Sequence, residues 1–250
     1  MALIEEFEKQ GNWLFRYRGY LPLIILIAGG IVFAYTELYP ESFYIKTSPY
    51  RNYFEWFCIA VSIYGLLVRI YTVGHTPKNT SGRNVKGQIA DTLNTSGIYS
   101  VVRHPLYFGN FFMWLGPALL IGHPWFVVVF CFFYWVYYER IMFAEEQFLR
   151  GKFGETYTDW AKNVPAFIPA FRKFKKPNMA FNYKKVIRKE KNGLVAVFLI
   201  FSAFNFAGQH IGEQEGYNLP LLYTAAAVVV LYIGIRIIQK LSSVLNEKTN

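Results

Sequence analysis

The sequence has 250 residues, of which 54% are hydrophobic and only 17% charged, and its formal net charge is +10. Soluble domains carry about a quarter charged residues, so this composition excludes an ordinary soluble protein and favours one embedded in lipid. Cys58 and Cys131 both lie in apolar runs. That placement argues against a disulfide framework or a thiolate metal site, and we expect no metal.

Six apolar segments are predicted to cross the membrane as helices, because each is long enough to span about 30 Å of hydrocarbon. They cover residues 21–39, 53–73, 105–122, 124–143, 193–208 and 219–239. Only the sequence GHPW separates the third and fourth segments, which predicts a tight antiparallel helical hairpin. The predicted fold class is therefore an all-α, polytopic membrane protein with about six transmembrane helices.

Basic residues predict the orientation of these segments. Residues 150–191 contain twelve lysines and arginines, whereas the GHPW turn contains none. By the positive-inside rule, this basic connector, both termini and the loop 74–103 lie in the cytoplasm, with Lys176 inside and Gln214 outside. We divide the chain into residues 1–192, which include the connector 150–192, and a final hairpin at 193–250. Nucleic-acid binding is not expected, because no recognition motif accompanies the charge.

A polar triplet opens the third segment, in the sequence SGIYSVVRHPLYFGNFFMWLG at residues 96–116. Arg103 and His104 suit the membrane interface and Pro105 the first turn of a helix, so the triplet alone is compatible with a purely structural role. The fourth segment returns to the same face of the membrane. It brings Arg140 and the adjacent glutamates Glu145 and Glu146 close to the triplet. Carboxylates oppose the dipole at a helix C-terminus, which predicts that this pair meets a cation, a hydroxyl or an amine.

Two blocks together resemble a known family. DTLNTSGIYSVVRHPLYFGNFFMWLG, followed one helix later by AEEQFLRGKFGETYTDWAKNVPAFIP, resembles the isoprenylcysteine carboxyl methyltransferase and phospholipid methyltransferase family of integral membrane enzymes. The similarity covers a motif core at residues 83–169. It implies an S-adenosylmethionine site at the cytoplasmic end of the hairpin. The implied cofactor-binding residues are Thr92, Leu93, Asn94, Tyr99, His104, Pro105, Leu106, Tyr107, Glu145 and Glu146.

The resemblance also implies a substrate-facing arginine one turn before the paired glutamates. Arg140 precedes Glu145 by five residues, which places it roughly 140° away around an ideal helix. Arg103 is the other candidate for this role, and both are predicted as catalytic residues. Gly109 and Gly116 lie seven residues apart on the same segment, and small residues there predict close approach of a neighbouring backbone or of the cofactor.

The predicted function is S-adenosylmethionine-dependent methyl transfer to a lipid or lipidated acceptor in the cytoplasmic leaflet. An anionic acceptor, phosphate or carboxylate, is favoured because it needs no general base. Within the family, the branch that methylates the 1-phosphate of lipid A is the favoured interpretation, with the bacterial inner membrane as the location.

Two alternatives remain open at the level of the sequence. A membrane NADPH-dependent reductase of the sterol reductase type shares the Arg-His-Pro-x-Tyr-Phe-Gly block, but commonly has an acidic residue where Asn110 stands. A non-enzymatic transporter or assembly protein would favour charges in the middle of the membrane, whereas the charges here cluster toward the segment ends. The sequence leaves the oligomeric state undetermined.

Overall fold

The computed structural model describes residues 2–77, 88–212, 216–242 and 244–245; Arg83 and Gln214 lie outside them. Within these residues the chain is helical, with one isolated antiparallel bridge between Gly97 and Lys175 and no β-strand. The all-α prediction is thereby confirmed. The helices are α1 (Leu3–Tyr17), α2 (Leu21–Leu38), α3 (Tyr44–Thr47), α4 (Arg51–Gly74), α5 (Pro105–Leu120), α6 (Pro124–Ala161), α7 (Tyr183–Ile211) and α8 (Leu219–Leu241).

Four of the described helices, α4, α6, α7 and α8, are long and apolar enough to cross a membrane. Helices α1 and α2 meet at an angle of 73° and together form a fifth candidate. Helix α5 has only 16 residues. It therefore rises about 24 Å, which is short of the roughly 30 Å of a hydrocarbon core. The multi-pass architecture is confirmed, whereas the predicted count of six spans is not.

The predicted tight hairpin is present between α5 and α6. Gly122 takes a positive φ of 78° at the turn, a conformation that glycine adopts without steric cost. A proline opens each helix, and the ring Nδ1 of His123 accepts a hydrogen bond from the backbone N–H of Phe126 at 3.3 Å. The turn and its caps direct α6 back along α5, so the start of α5 and the later part of α6 lie at the same end of the bundle.

Glycines allow α4 and α5 to pack backbone against backbone, as predicted for Gly109 and Gly116. A Cβ atom on Gly109 would lie 2.7 Å from Arg69 Cγ and 2.8 Å from the carbonyl oxygen of Gly65. The hydroxyl of Ser62 donates to the backbone oxygen of Met113 at 2.9 Å across the same interface. Small residues are what such close helix contacts require in a membrane.

The part of the connector that follows α6 folds back onto the residues that precede α5. The N–H of Arg103 donates to the oxygen of Pro165 at 2.9 Å, and the N–H of His104 donates to the oxygen of Ala166 at 3.2 Å. The N–H of Gly97 similarly reaches the oxygen of Lys175 at 3.0 Å. The two sequence blocks are therefore joined through their backbones as well as through the hairpin.

At the opposite end of the bundle, a buried cluster of charges holds α2, α3 and α4 together. Glu37 accepts hydrogen bonds from Lys46 at 2.7 Å and from Arg51 at 2.7 and 2.9 Å. The Thr36 hydroxyl donates to the oxygen of Ile121, which ties this cluster to the hairpin turn. This end carries the segment that the charge distribution predicts to be external.

The predicted division at residue 193 falls inside α7, which runs without a break from Tyr183 to Ile211. The division into two parts stays a prediction, because α7 has no break or bend at residue 193 that would separate them.

Candidate active site

A cavity of about 330 Å³ lies at the end of the bundle where α5 begins. It is bounded by the loop before α5, the first turns of α5, the middle of α6 and parts of α1, α4 and α7. All of the predicted cofactor-binding residues except Glu146 line it. They are Thr92, Leu93, Asn94, Tyr99, His104, Pro105, Leu106, Tyr107 and Glu145.

His104 joins the two sequence blocks at the wall of this cavity. Its ring Nε2 lies 2.9 Å from Glu146 Oε1, and its Nδ1 lies 3.7 Å from Glu145 Oε2. The residue is only 5% exposed, and burial alone would lower its pKa. The two carboxylates outweigh burial and raise the pKa of His104 above its ordinary value. The imidazole therefore links the paired glutamates to the start of α5.

Glu145 presents an unsatisfied oxygen to the cavity. Among the described residues, its buried Oε2 has no hydrogen-bond donor, and the nearest cation, His104, stays at 3.7 Å. Buried polar atoms in folded proteins nearly always have a partner. A carboxylate that lacks one while lining a cavity is suited to accept from the hydroxyl or ammonium groups of a ligand.

Arg103 contacts Glu146 and also lines the cavity. Its Nη1 is 3.3 Å from Glu146 Oε2, and its buried Nε has no partner within the described part of the chain. The side chain lines the cavity, as the prediction of a substrate-facing arginine requires. It retains a donor that a bound anion would satisfy.

Aromatic rings form another side of the site. Tyr107 stacks on His104 with ring centres 5.7 Å apart, and Tyr138 of α6 lies 5.0 Å from Tyr107. The hydroxyl of Tyr134 donates to the backbone oxygen of Tyr107 at 2.7 Å, which fixes the first turn of α5 against α6. Flat rings beside an apolar turn provide a surface for a planar base.

A kink in α6 adds residues that the sequence reasoning missed. Gly154 has φ 56° and ψ −130°, so the helix changes direction there and its last residues turn back toward the site. Trp160 consequently lines the cavity, and its Nε1–H has no acceptor among the described residues. A single glycine inside a helical pattern was the available signal.

Helices outside the two blocks also contribute to the cavity. Phe15 and Arg18 come from the N-terminal region, Arg69 from α4, and Lys189 and Glu190 from α7. An arginine inside an apolar span such as α4 is a functional candidate by default, and this signal could have identified Arg69. The amphipathic N-terminal helix had no comparable signal in the sequence.

Arg140 lies away from the cavity. Its guanidinium stands 3.5 Å above the ring of Phe7 in α1, and its Nη1 donates to Glu139 at 2.9 Å. It contributes to the contact between α1 and α6. Its predicted role in binding the substrate stays a prediction, whereas Arg103 is the predicted catalytic arginine that lines the cavity.

The fold and the site define a class: a multi-pass helical membrane protein with a charged, aromatic-walled cavity at one end of a helical hairpin. Residues 56–156 match the phospholipid methyltransferase family. The resemblance stated from the two motif blocks is thereby confirmed over this part of the chain.

Several curated relatives are named protein-S-isoprenylcysteine O-methyltransferase. The one from Schizosaccharomyces pombe is 40% identical over 78 residues, which are 31% of this chain and 33% of that protein. The one from Mus musculus is 35% identical over 96 residues, 36% and 34% of the two chains. The one from Dictyostelium discoideum is 25% identical over 146 residues, 56% and 59% of the two chains.

The chain thus spans about a third of the length of the first two of these relatives. No solved structure matches it.

Proposed function

We propose that this protein is an integral membrane S-adenosylmethionine-dependent O-methyltransferase whose acceptor is the anionic group of a lipid or lipidated molecule. The observation that carries the proposal is the convergence of nine predicted cofactor-binding residues, from the loop, α5 and α6, on one cavity. The match of residues 56–156 to the phospholipid methyltransferase family supports the same activity.

The residues present fit S-adenosylmethionine. A volume of about 330 Å³ lies within the usual range of ligand pockets, which is roughly 300–1,000 Å³. The Glu145 oxygen that has no donor among the described residues suits the ribose hydroxyls or the ammonium group, and Trp160 offers an N–H for which the same residues provide no acceptor. Tyr107 and Leu106 supply an apolar, aromatic surface for the adenine. When bound, this cofactor supplies a methyl group activated by a positively charged sulfur.

The chain's own contribution is alignment and exclusion of water. Arg103 and His104 hold Glu146, and His104 also lies beside Glu145, so the carboxylates cannot turn freely in the cavity wall. The backbone bonds from residues 103 and 104 to Pro165 and Ala166 fix the start of α5 against the connector. Such positioning lowers the barrier of a bimolecular displacement without any further catalytic group.

The charges of the cavity favour an anionic acceptor. Four basic residues, Arg18, Arg69, Arg103 and Lys189, line it, against the carboxylates of Glu145 and Glu190 in the lining and of Glu146 beside Arg103. The carboxylates of Glu145 and Glu146 raise the pKa of His104, which favours its charged form, and S-adenosylmethionine itself is cationic. A carboxylate or phosphate would balance this excess and is already ionised at neutral pH, so it needs no base.

Two lipid-linked anions are the candidate acceptors. The names of the curated relatives favour the carboxylate of an isoprenylcysteine. The 1-phosphate of lipid A has the same chemistry and remains the acceptor predicted from the sequence. Arg103 is proposed to hold the anion, since its buried Nε is without a partner among the described residues.

The orientation proposal is that the cavity faces the cytoplasm, with both termini on the same side. The basic connector bonds through its backbone to Arg103 and His104, which line the cavity, and residues 150–191 hold twelve of the chain's 26 lysines and arginines. S-adenosylmethionine is made in the cytosol, so this orientation gives it access. The bacterial inner membrane remains the proposed location.

The decisive experiment is binding of radiolabelled S-adenosylmethionine and of NADPH to the detergent-purified full chain. We expect saturable binding of the first and none of the second, since the family and the relatives favour a methyltransferase over a reductase. Binding of NADPH alone would refute the proposal, and binding of neither would favour the non-enzymatic alternative. Label transfer to isoprenylcysteine or to lipid phosphate then identifies the acceptor.

A further inference from the structure

Arg69 lines the cavity and is held on two sides by hydrogen bonds. Its Nε and Nη2 donate to the two carboxylate oxygens of Glu190 in α7, each at 2.8 Å. Its Nη1 donates to Oδ1 of Asn110 in α5 at 2.7 Å. One guanidinium on α4 therefore links three helices, and all three residues line the cavity.

The packing of α4 on α5 makes room for this side chain. Gly109 lies directly beneath it, where a Cβ atom would come within 2.7 Å of Arg69 Cγ. The side chain of Arg69 is 16% exposed and that of Glu190 is 4% exposed. A buried ion pair is a weak source of stability, because desolvation of the charges offsets their attraction. The placement of such a pair on a ligand cavity therefore suggests a role beyond holding the helices together.

Arg69 retains donors for a ligand. A guanidinium has five N–H groups in a planar fork, and the described contacts use three of them. Two N–H groups are left without a partner among the described residues. A planar pair of donors whose orientation is fixed by neighbours suits a carboxylate or a phosphate better than a flexible ammonium does.

We propose that Arg69 is a second anion-binding residue of the acceptor site, and that Glu190 and Asn110 are positioning residues that fix its orientation. The proposal rests on the proposed function, since it assumes that the cavity receives an anionic, lipid-linked acceptor. It makes α7, the first helix of the C-terminal hairpin, part of the active site. The acceptor's anion would lie between Arg69 and Arg103.

The test compares Arg69→Lys and Glu190→Gln with the full-length wild type in detergent. The probes are an N-acetyl-S-isoprenylcysteine, its neutral carboxamide, and phosphatidic acid as a lipid phosphate. Retention of each radiolabelled probe gives its affinity, turnover with labelled S-adenosylmethionine gives KM and kcat, and cofactor affinity is measured separately. Arg150→Lys, at an exposed position on α6 outside the cavity, is the matched control.

We expect Arg69→Lys to weaken binding of the preferred anionic probe about tenfold or more, because the fork is lost while the charge remains. Affinity for the carboxamide and for S-adenosylmethionine should change less than about twofold, a range that corresponds to well under 1 kcal/mol. Glu190→Gln should weaken anion binding to a smaller extent, because the fork remains but is held less firmly. Whichever anion shows the larger effect identifies the source of the acceptor group.

Three results would overturn the proposal. Unchanged affinity for both anions in Arg69→Lys, with a lowered melting temperature, would make the pair a structural link only. An equal loss of affinity for the carboxamide and for the anions would show that Arg69→Lys changes the shape of the cavity rather than the recognition of charge. Failure of the wild type to retain either anion while it binds S-adenosylmethionine would remove the site but leave the methyltransferase proposal intact.

Discussion

The imidazole Nε2 of His104 lies 2.9 Å from Oε1 of Glu146, although 42 residues separate them in the chain. The contact joins the polar triplet at the start of α5 to the paired carboxylates of α6. It exists because the hairpin returns α6 to the same end of the bundle. Because α6 continues to Ala161, Glu145 and Glu146 lie in the middle of the helix and not at its C-terminus as the sequence predicted, and the contact places Glu146 against His104 and Arg103.

Replacement of Glu145 by Gln is predicted to weaken S-adenosylmethionine binding. Its Oε2 faces the cavity without a donor among the described residues, so it is available to the cofactor. Loss of one charged hydrogen bond costs about 1.5–3 kcal/mol, which corresponds to roughly ten- to a hundredfold in affinity. Isothermal titration calorimetry on the purified protein would measure the S-adenosylmethionine affinity of the variant and of the wild type. His104→Ala should act in the same direction, because His104 orients both carboxylates.

Glu155→Gln is the control for this substitution, since Glu155 is exposed and lies on the same helix outside the cavity. It should bind the cofactor as the wild type does. If Glu145→Gln and His104→Ala also retained full affinity, the cofactor would have to lie elsewhere.

The stability of the protein is predicted to depend on the protonation of His104. Burial lowers its pKa, but the carboxylates of Glu145 and Glu146 outweigh burial and raise it above the ordinary value of about 6.5. When the pKa of a group is higher in the folded state than in the unfolded state, the group stabilises the folded state, and this contribution is complete at pH values below the unfolded-state pKa. The contribution is lost as pH rises through the folded-state pKa. Melting temperatures of the wild type and His104→Gln, measured across pH in detergent, should therefore converge as pH increases. A difference independent of pH would contradict a charged His104.

Gly109→Ala is predicted to destabilise the protein by about 1–3 kcal/mol, because a methyl group would collide with Arg69 and with the backbone of Gly65. Gly234→Ala is the matched control, since Gly234 lies in α8 with no heavy atom within 4 Å of the added Cβ position. There the better helix propensity of alanine should leave stability unchanged or raise it by up to about 1 kcal/mol. Thermal unfolding in one detergent would compare the stabilities of the two variants with that of the wild type. Equal changes in stability for Gly109→Ala and Gly234→Ala would refute the tight α4–α5 contact.

The sequence predicts the all-α fold, the hairpin and the part of the cavity lining that comes from the loop before α5, the start of α5 and Glu145, because these depend on local signals. Apolar length marks the helices, GHPW marks the turn, and the two blocks carry the residues from Thr92 to Tyr107 and Glu145. The contributions of Arg18, Arg69 and Glu190 depend on the packing of α1 on α6 and of α4 on α7, which periodicity does not specify. The position of Arg140 follows from a contact with α1 that helix geometry alone does not reveal.

The proposed orientation predicts opposite accessibility at the two ends of the bundle. A cysteine at Lys176, which is exposed on the basic connector, should react only with reagents on the cytoplasmic side. A cysteine at Tyr44, which is 78% exposed near the opposite end, should react only from the outside. Labelling of intact cells with a membrane-impermeant maleimide distinguishes them, in a background where Cys131 is replaced by serine. The reverse pattern would contradict access of cytosolic S-adenosylmethionine to the cavity.

Arg103→Lys is predicted to impair the acceptor step while leaving cofactor binding nearly intact. The guanidinium contacts Glu146 with one nitrogen and keeps a buried Nε without a partner among the described residues, an arrangement suited to an anion in the cavity. Lysine preserves the charge but not the planar fork, so KM for the anionic acceptor should rise or kcat should fall by about tenfold. Turnover of N-acetyl-S-isoprenylcysteine and of phosphatidic acid with labelled S-adenosylmethionine, beside calorimetry of the cofactor alone, separates the two steps. An equal loss of cofactor affinity would instead assign Arg103 to the cofactor side of the site, through its hold on Glu146.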